Sequence, residues 1–439
     1  MRHALTRIAM SGFCIAWLAL PASAIAADDD LSSSPWSYGV DGAAGYFNFR
    51  DSLYVDHEPD PPGDLGDNWL EFFVKPWVEY NKQVGNTAWF AKASWAYAKT
   101  DDDASEISGG GADSADFDDL YIGFRNGSIE NGSIKVAVGR YAYEMAHGFL
   151  ISDGYADGGS RGGYWSNPRQ AWAFGAHVQY QNSGHLLETF YLDRDERPES
   201  DGDTRITGMN YEWLAPDERW NLAAAYFGLS TNDFRGHLDG ARVYNLRAFA
   251  KPFAIPLNIE AEFVREENGD VLDANAWYVM ADYTWEDSRW QPSLQYRYSH
   301  SDGDDPDTPA NENYDPLFPG FRDWGTWWQG EIAGEYFLSN SNLKSHMLRL
   351  HTQPTDKIGT GFIFFDYKLD QPGSYQGGVT SSSLAQEINW YMDWSPFDHF
   401  SFSFVLARNQ PGQAVEEAFG RTKAFQYAMI YVGFSAANN

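Results

Sequence analysis

The sequence predicts an all-β fold, a single antiparallel β-barrel of about 18 strands that crosses a membrane. Three observations carry this expectation. Segments of about ten residues alternate in polarity, as side chains along a strand alternate between faces. The connections between these segments alternate between short and long. Aromatic residues make up 17% of the chain, with 18 Trp, 26 Tyr and 29 Phe, although mean hydropathy is only -0.50. Soluble cores are mainly aliphatic, whereas a barrel with aromatic girdles and a wet interior needs this combination.

Residues 1–26, MRHALTRIAMSGFCIAWLALPASAIA, read as a secretory signal. Arg2 and Arg7 give the basic start, Ile8 to Leu20 the apolar middle, and Ala22-Ser23-Ala24 or Ala24-Ile25-Ala26 the small-residue cleavage site. The apolar run is shorter than the ~20 residues a spanning helix needs. Cys14, the single cysteine, lies inside it, so the exported chain has no disulfide and no thiolate ligand. Residues 27–439 then form the barrel.

In chain order, the period-two pattern gives strands at 36–49, 68–80, 86–99, 116–126, 132–142, 170–182, 185–194, 204–214 and 219–229. It continues at 240–251, 256–266, 275–285, 290–300, 343–353, 358–369, 384–395, 398–408 and 423–434. Short turns such as NKQVG, GSIEN, PDER, EDSR and PTDK alternate with long connections such as 50–67, 100–115 and 143–169. Short periplasmic turns and longer external loops in alternation are what an outer-membrane barrel requires. The connection 301–342 is far longer than an ordinary loop and is expected to fold over or into the pore. Within it, Trp328 to Leu338 could pass for another strand, but counting it would place two short turns in succession. It is assigned to the loop, with helical character from the four-residue spacing of Trp328, Ile332 and Tyr336.

Solvent decides the faces. In 256–266, Leu257, Ile259, Ala261 and Phe263 face lipid while Asn258, Glu260 and Glu262 face the lumen. In 275–285 Trp277, Val279, Ala281 and Tyr283 share one face, and Tyr278, Met280, Asp282 and Thr284 the other. Two strands, 185–194 and 423–434, carry apolar residues on both faces, so pattern alone leaves them open.

The charge balance narrows function. Without the signal, 29 basic residues stand against 62 acidic ones, which excludes nucleic acid as a partner because phosphate contacts need a cationic face. Acidic residues gather in connections, at 101–103, 193–203 and 302–307, and read as solvated loops. Asp302, Asp304, Asp305 and Asp307 could hold Ca²⁺ through clustered oxygens, but they lack the spacing of a calcium loop. No other cofactor or metal is expected: His346 and His351 fall on opposite faces of one strand.

The run YDPLFPGFRDWGTWWQGEI followed by EYFLSNSNLKSHMLRL closely resembles the alginate export family of bacterial outer-membrane proteins, as do VGRYAYEMAHG, IFFDYKLDQPG, SLAQEINWYMDW and AFQYAMIYVGF. The resemblance implies an 18-stranded barrel acting as a passive conduit, with loops that constrict the lumen and periplasmic export partners on the inner side. Alginate-conducting members use an arginine-rich constriction suited to a polyanion. Inward positions here are mixed, with Lys75, Lys92, Arg125 and Lys251 beside Glu71, Asp119, Asp366 and Asp393.

The expected function is an outer-membrane channel, not an enzyme, through which a polar, anionic or carbohydrate-like solute diffuses or is exported. Its candidate pathway residues are Arg247, Arg297, Arg322, Arg349, Lys135, Lys368, Glu331 and Glu335, because charge lining a narrow pore biases which solutes pass. Glu331 and Glu335 could instead pair as acid and base, but one turn of carboxylates reads first as a wet helix face. The alternatives are an outer-membrane enzyme or adhesin acting through external loops, and a soluble sugar-binding β protein.

Overall fold

The computed structural model describes residues 34–51, 66–102, 112–232, 235–320, 328–334, 338 and 340–438. Eighteen strands form one antiparallel sheet: β1 (Trp36–Arg50), β2 (Gly66–Val84), β3 (Thr87–Asp102), β4 (Asp113–Ser128), β5 (Gly132–Tyr141), β6 (Trp172–Asn182), β7 (His185–Asp193), β8 (Arg205–Leu214) and β9 (Trp220–Ser230). The second half comprises β10 (Arg242–Ala250), β11 (Leu257–Asn268), β12 (Leu272–Thr284), β13 (Ser293–Ser301), β14 (Leu343–Thr355), β15 (Ile358–Leu369), β16 (Ser383–Phe397), β17 (Phe400–Pro411) and β18 (Phe425–Ala437). Each strand pairs with its neighbours in sequence, and β1 pairs with β18, so the sheet closes. Closure removes every sheet edge, which an exported chain without disulfides needs if its backbone is to sit in lipid.

The expected alternation is realised strand by strand. Leu257 to Phe263 and Trp277 to Tyr283 present the outward sets named above, and the opposite sets point in. The open cases resolve as well: β7 turns Leu186, Glu188, Phe190 and Leu192 inward, and β18 turns Phe425, Tyr427, Met429 and Tyr431 inward. At the short-turn end, Trp36, Trp89, Trp220, Trp285, Trp290 and Trp394 are exposed on the outside, and at the other end so are Tyr46, Phe72, Phe117, Phe174 and Tyr244. These are two girdles, with an apolar band including Leu246, Ile388, Leu406 and Ile430 between them. The turn between β2 and β3 is closed by Gly85 at φ 61°, a left-handed conformation that glycine adopts at no steric cost. Beyond Phe434 the last strand continues, with Ser435, Ala436 and Ala437 still paired to β1.

The wet interior is corrected for the outer half of the barrel. Inward side chains near the long-loop end, among them Phe49, Val243, Val264, Met347 and Phe365, are buried in one continuous core. Towards the short-turn end the same inward rows open: Arg247, Asn258 and Asp282 are only part-buried. The cause is loop material inside the cylinder. Loops 142–171 and 302–342 supply Phe149, Leu150, Ile151, Tyr314, Phe318 and Trp328 to that core.

Candidate functional site

The two inward loops meet each other along a short parallel pairing at Ile151 and Phe318. Ser152 N–H donates to Phe318 C=O at 2.8 Å, Phe318 N–H to Leu150 C=O at 3.1 Å, and Gly320 N–H to Gly148 C=O at 2.9 Å. Both loops are hung from the barrel wall by buried carboxylates that accept backbone N–H groups. Glu71 takes Trp165 (2.9 Å) and Ser166 (2.8 Å); Asp118 takes Gln170 (2.8 Å) and Ala171 (2.9 Å). Glu266 takes Asp315 at 3.0 Å, and Glu387 takes Ile332 (3.0 Å) and Ala333 (2.7 Å). Loops that bring polar backbone into a closed space need such partners, since an unmatched buried N–H costs about 1–3 kcal/mol.

Around the meeting point stand five arginines, two of which, Arg161 and Arg169, belong to the 142–171 loop itself. Arg161 and Arg169 lie 4.4 and 4.6 Å from the Tyr155 ring, with Arg140 at 6.0 Å. Arg194 and Arg235 lie 4.4 and 5.3 Å from the Phe318 ring. Each shares its charge with a carboxylate. Arg140 and Arg161 reach Asp195 at 2.6 and 2.9 Å, Arg169 reaches Asp157 at 2.7 Å, Arg194 reaches Asp153 at 3.4 Å and Arg235 reaches Asp315 at 3.3 Å. Burial pushes the Asp157 carboxyl up to about 7, against the pull of Arg169. Burial acts the same way on Asp315, but His237 and Arg235 outweigh it and hold that carboxyl below its usual range.

Four expected pathway residues point into the barrel. Arg297 is buried, 3.5 Å from the Trp328 ring, and donates to the Trp328 carbonyl. Tyr278 and Phe149 complete that cage at 4.9 and 5.5 Å from the same ring. Arg349 donates to Tyr391 Oη from Nε and Nη2 at 3.0 and 2.8 Å, and Tyr391 Oη meets His351 Nδ1 at 2.7 Å. Arg247 bonds Asn210 Oδ1 at 2.6 Å and Glu212 at 3.3 Å. The Lys135 ammonium sits 5.7 Å from the Phe90 ring.

Glu331 is not on a wet face. It lies buried in the single helical turn Gly330–Gly334, with its N–H donating to Asn389 Oδ1 at 3.2 Å. Glu335 and Arg322 lie outside the described residues. Lys368 is corrected: it shares the outward face of β15 with Phe362 and Phe364, as does Asp366, while Ile363, Phe365, Tyr367 and Leu369 face in. Both faces of β15 are apolar because its inner face packs on the 328–334 turn, where Tyr367 Oη donates to the Gln329 carbonyl at 2.5 Å.

Asp304 accepts from Glu312 N–H at 3.1 Å across the loop, and Asp305 caps a local turn by accepting from Asp307 N–H at 3.0 Å. Among the described residues the group that does converge is His300, Asp302 and Asp370. It already holds a cation, since Lys344 Nζ lies 2.7 Å from Asp370.

Sequence reasoning missed Arg140, Arg161, Arg169, Arg194 and Arg235. The available signal was the apolar run GFLIS inside 143–169, a stretch too greasy for a loop in water.

No curated protein matches the chain. Solved structures that match are outer-membrane proteins of the same architecture. Pseudomonas aeruginosa OpdK, crystallised with vanillate, is 11% identical with a TM-score of 0.58, covering 92% of this chain and 99% of its own. P. aeruginosa OccK5 (OpdH) is 10% identical with a TM-score of 0.57, over 92% and 98% of the two chains. Acinetobacter baumannii OccAB4 is 10% identical with a TM-score of 0.57, over 93% and 99%. These likenesses show the fold. A family model described as alginate export matches residues 82–428. With its closed barrel, two girdles and loops folded into the lumen, the chain belongs to the alginate export family and is an outer-membrane porin of bacteria.

Proposed function

We propose that the protein is a passive conduit for a polar solute carrying carboxylate groups, moved down its gradient without a cofactor. The observation that carries this is the arginine cluster over Tyr155 and Phe318 at the junction of the inward loops. Each guanidinium there is held by a protein carboxylate, so a solute carboxylate can take that partner's place as an acceptor of the same charge-assisted hydrogen bonds. Because like is exchanged for like, a carboxylated sugar is drawn in without being trapped, which conduction demands. Residues 1–26 fit a signal removed on export, and the open short-turn end faces any periplasmic partner that delivers or receives the solute.

Planar-bilayer reversal potentials in salt gradients, repeated with uronate oligomers, test the reading. Anion preference is expected, and Arg194→Ala with Arg235→Ala should move the reversal potential towards cations. An unmoved potential in that pair, or the absence of single-channel steps in the wild type, sinks it.

A further inference from the structure

The barrel closes along β17, β18 and β1, and the outer surface of that seam carries a cationic pair that the conduit does not use. Arg408 lies opposite Gln426, and Gln426 opposite Arg50, so the three form one row across adjacent strands at the long-loop end. All three are exposed on the outward face. Strand spacing of ~4.8 Å separates the two arginine backbones by about 10 Å, within the combined reach of two arginine side chains. Among the described residues neither arginine forms an ion pair, in a chain with twice as many acidic as basic residues.

The row marks a boundary. One step down each strand towards the lipid, Ala428 lies opposite Leu406, and one step further Ile430 lies opposite Tyr46. Leu406 and Ile430 belong to the exposed apolar band, and the small Ala428 stands between Leu406 and Asn48 on the outward row. A cationic pair directly above exposed apolar side chains matches a molecule with an anionic head and a hydrocarbon tail.

We propose that Arg50 and Arg408 clamp the phosphate of a lipid headgroup in the outer leaflet, with an acyl chain lying over Ala428 past Leu406. Two forked guanidinium groups suit a phosphate better than any neutral headgroup. The bound lipid bridges the first strand to the last two, where the ring is closed.

The test is native mass spectrometry of the detergent-refolded barrel with a phosphorylated glycolipid, and with the same lipid after phosphatase treatment. The wild type should retain the phosphorylated lipid, Arg50→Gln with Arg408→Gln should retain at least ten-fold less, and the double Lys variant an intermediate amount. The phosphatase-treated lipid should not be retained. Equal retention by wild type and the double Gln variant, or of lipid lacking phosphate, overturns the proposal. Displacement of the lipid by an equal concentration of inorganic phosphate also overturns it, by showing a site for soluble anions. Heat-dependent electrophoretic mobility confirms that each variant is a folded barrel, so loss of lipid is not confused with loss of fold.

Discussion

Glu387 on β16 accepts the N–H groups of Ile332 and Ala333 and is itself steadied by Asn409 Nδ2 at 2.9 Å. Hydrogen bonds to a charged acceptor contribute about 1.5–3 kcal/mol each, so this one side chain largely decides whether the 328–334 turn stays inside. Glu387→Ala is expected to raise the open fraction in single-channel records at least ten-fold while leaving the thermal midpoint of the barrel in place, because no ladder bond is touched. Gly330 gives an independent check: its φ is +86°, and an added Cβ would lie 2.4 Å from Glu387 Oε1. Gly330→Ala should therefore loosen the same turn by about 1–3 kcal/mol, read as raised conductance. Unchanged records for both variants would mean that the turn does not obstruct the path. At this scale the sequence was legible where one face was plainly polar, as for Arg247, Arg297 and Arg349. It misled at Lys368, where the inner face of the strand is as apolar as the outer.

At the scale of elements, two loops fill the outer half of the lumen. Removing 302–342 takes Tyr314, Phe318 and Trp328 out of the buried core, and a larger single-channel conductance is expected; an unaltered current would count against a plug. The root of this loop is strapped at its outer side. Gly303 N–H donates to Asp370 at 3.1 Å, and Lys344 Nζ and His300 Nε2 stand 2.7 and 3.4 Å from the same carboxylate. Burial alone would push the Asp370 carboxyl up, but His300 and Lys344 outweigh it and hold it well below the usual range. A depressed carboxylate contributes stability that is complete above about pH 5 and lost as pH falls towards the folded value. Proteolysis of the 302–342 loop should thus stay slow at neutral pH and accelerate below about pH 4, and Asp370→Asn should make it fast at all pH values. A rate independent of pH would remove the strap. The inward course of 302–342 was legible from its length and aromatic content. That 142–171 folds in beside it was not, because its pairing with Phe318 joins residues far apart in the chain.

The whole molecule is a cylinder whose outer surface is chosen by lipid. Leu246 lies at mid-strand on β10, 58% exposed among apolar neighbours. Leu246→Arg should cost about 2–4 kcal/mol in bilayer vesicles, measured by reversible denaturant unfolding. A cost below 1 kcal/mol would place that row outside the hydrocarbon.

The sequence by itself determined the strand count, the inward and outward faces of most strands and the outer-membrane setting. These follow from local alternation and from a solvent that penalises each misplaced charge separately. Only the tertiary structure decided that the outer half of the lumen is packed, that five arginines from four separate segments converge on Tyr155 and Phe318, and that Lys368 faces out. Those outcomes depend on which distant segments come to lie inside the cylinder, and a pattern of period two carries no record of what a face will be covered by.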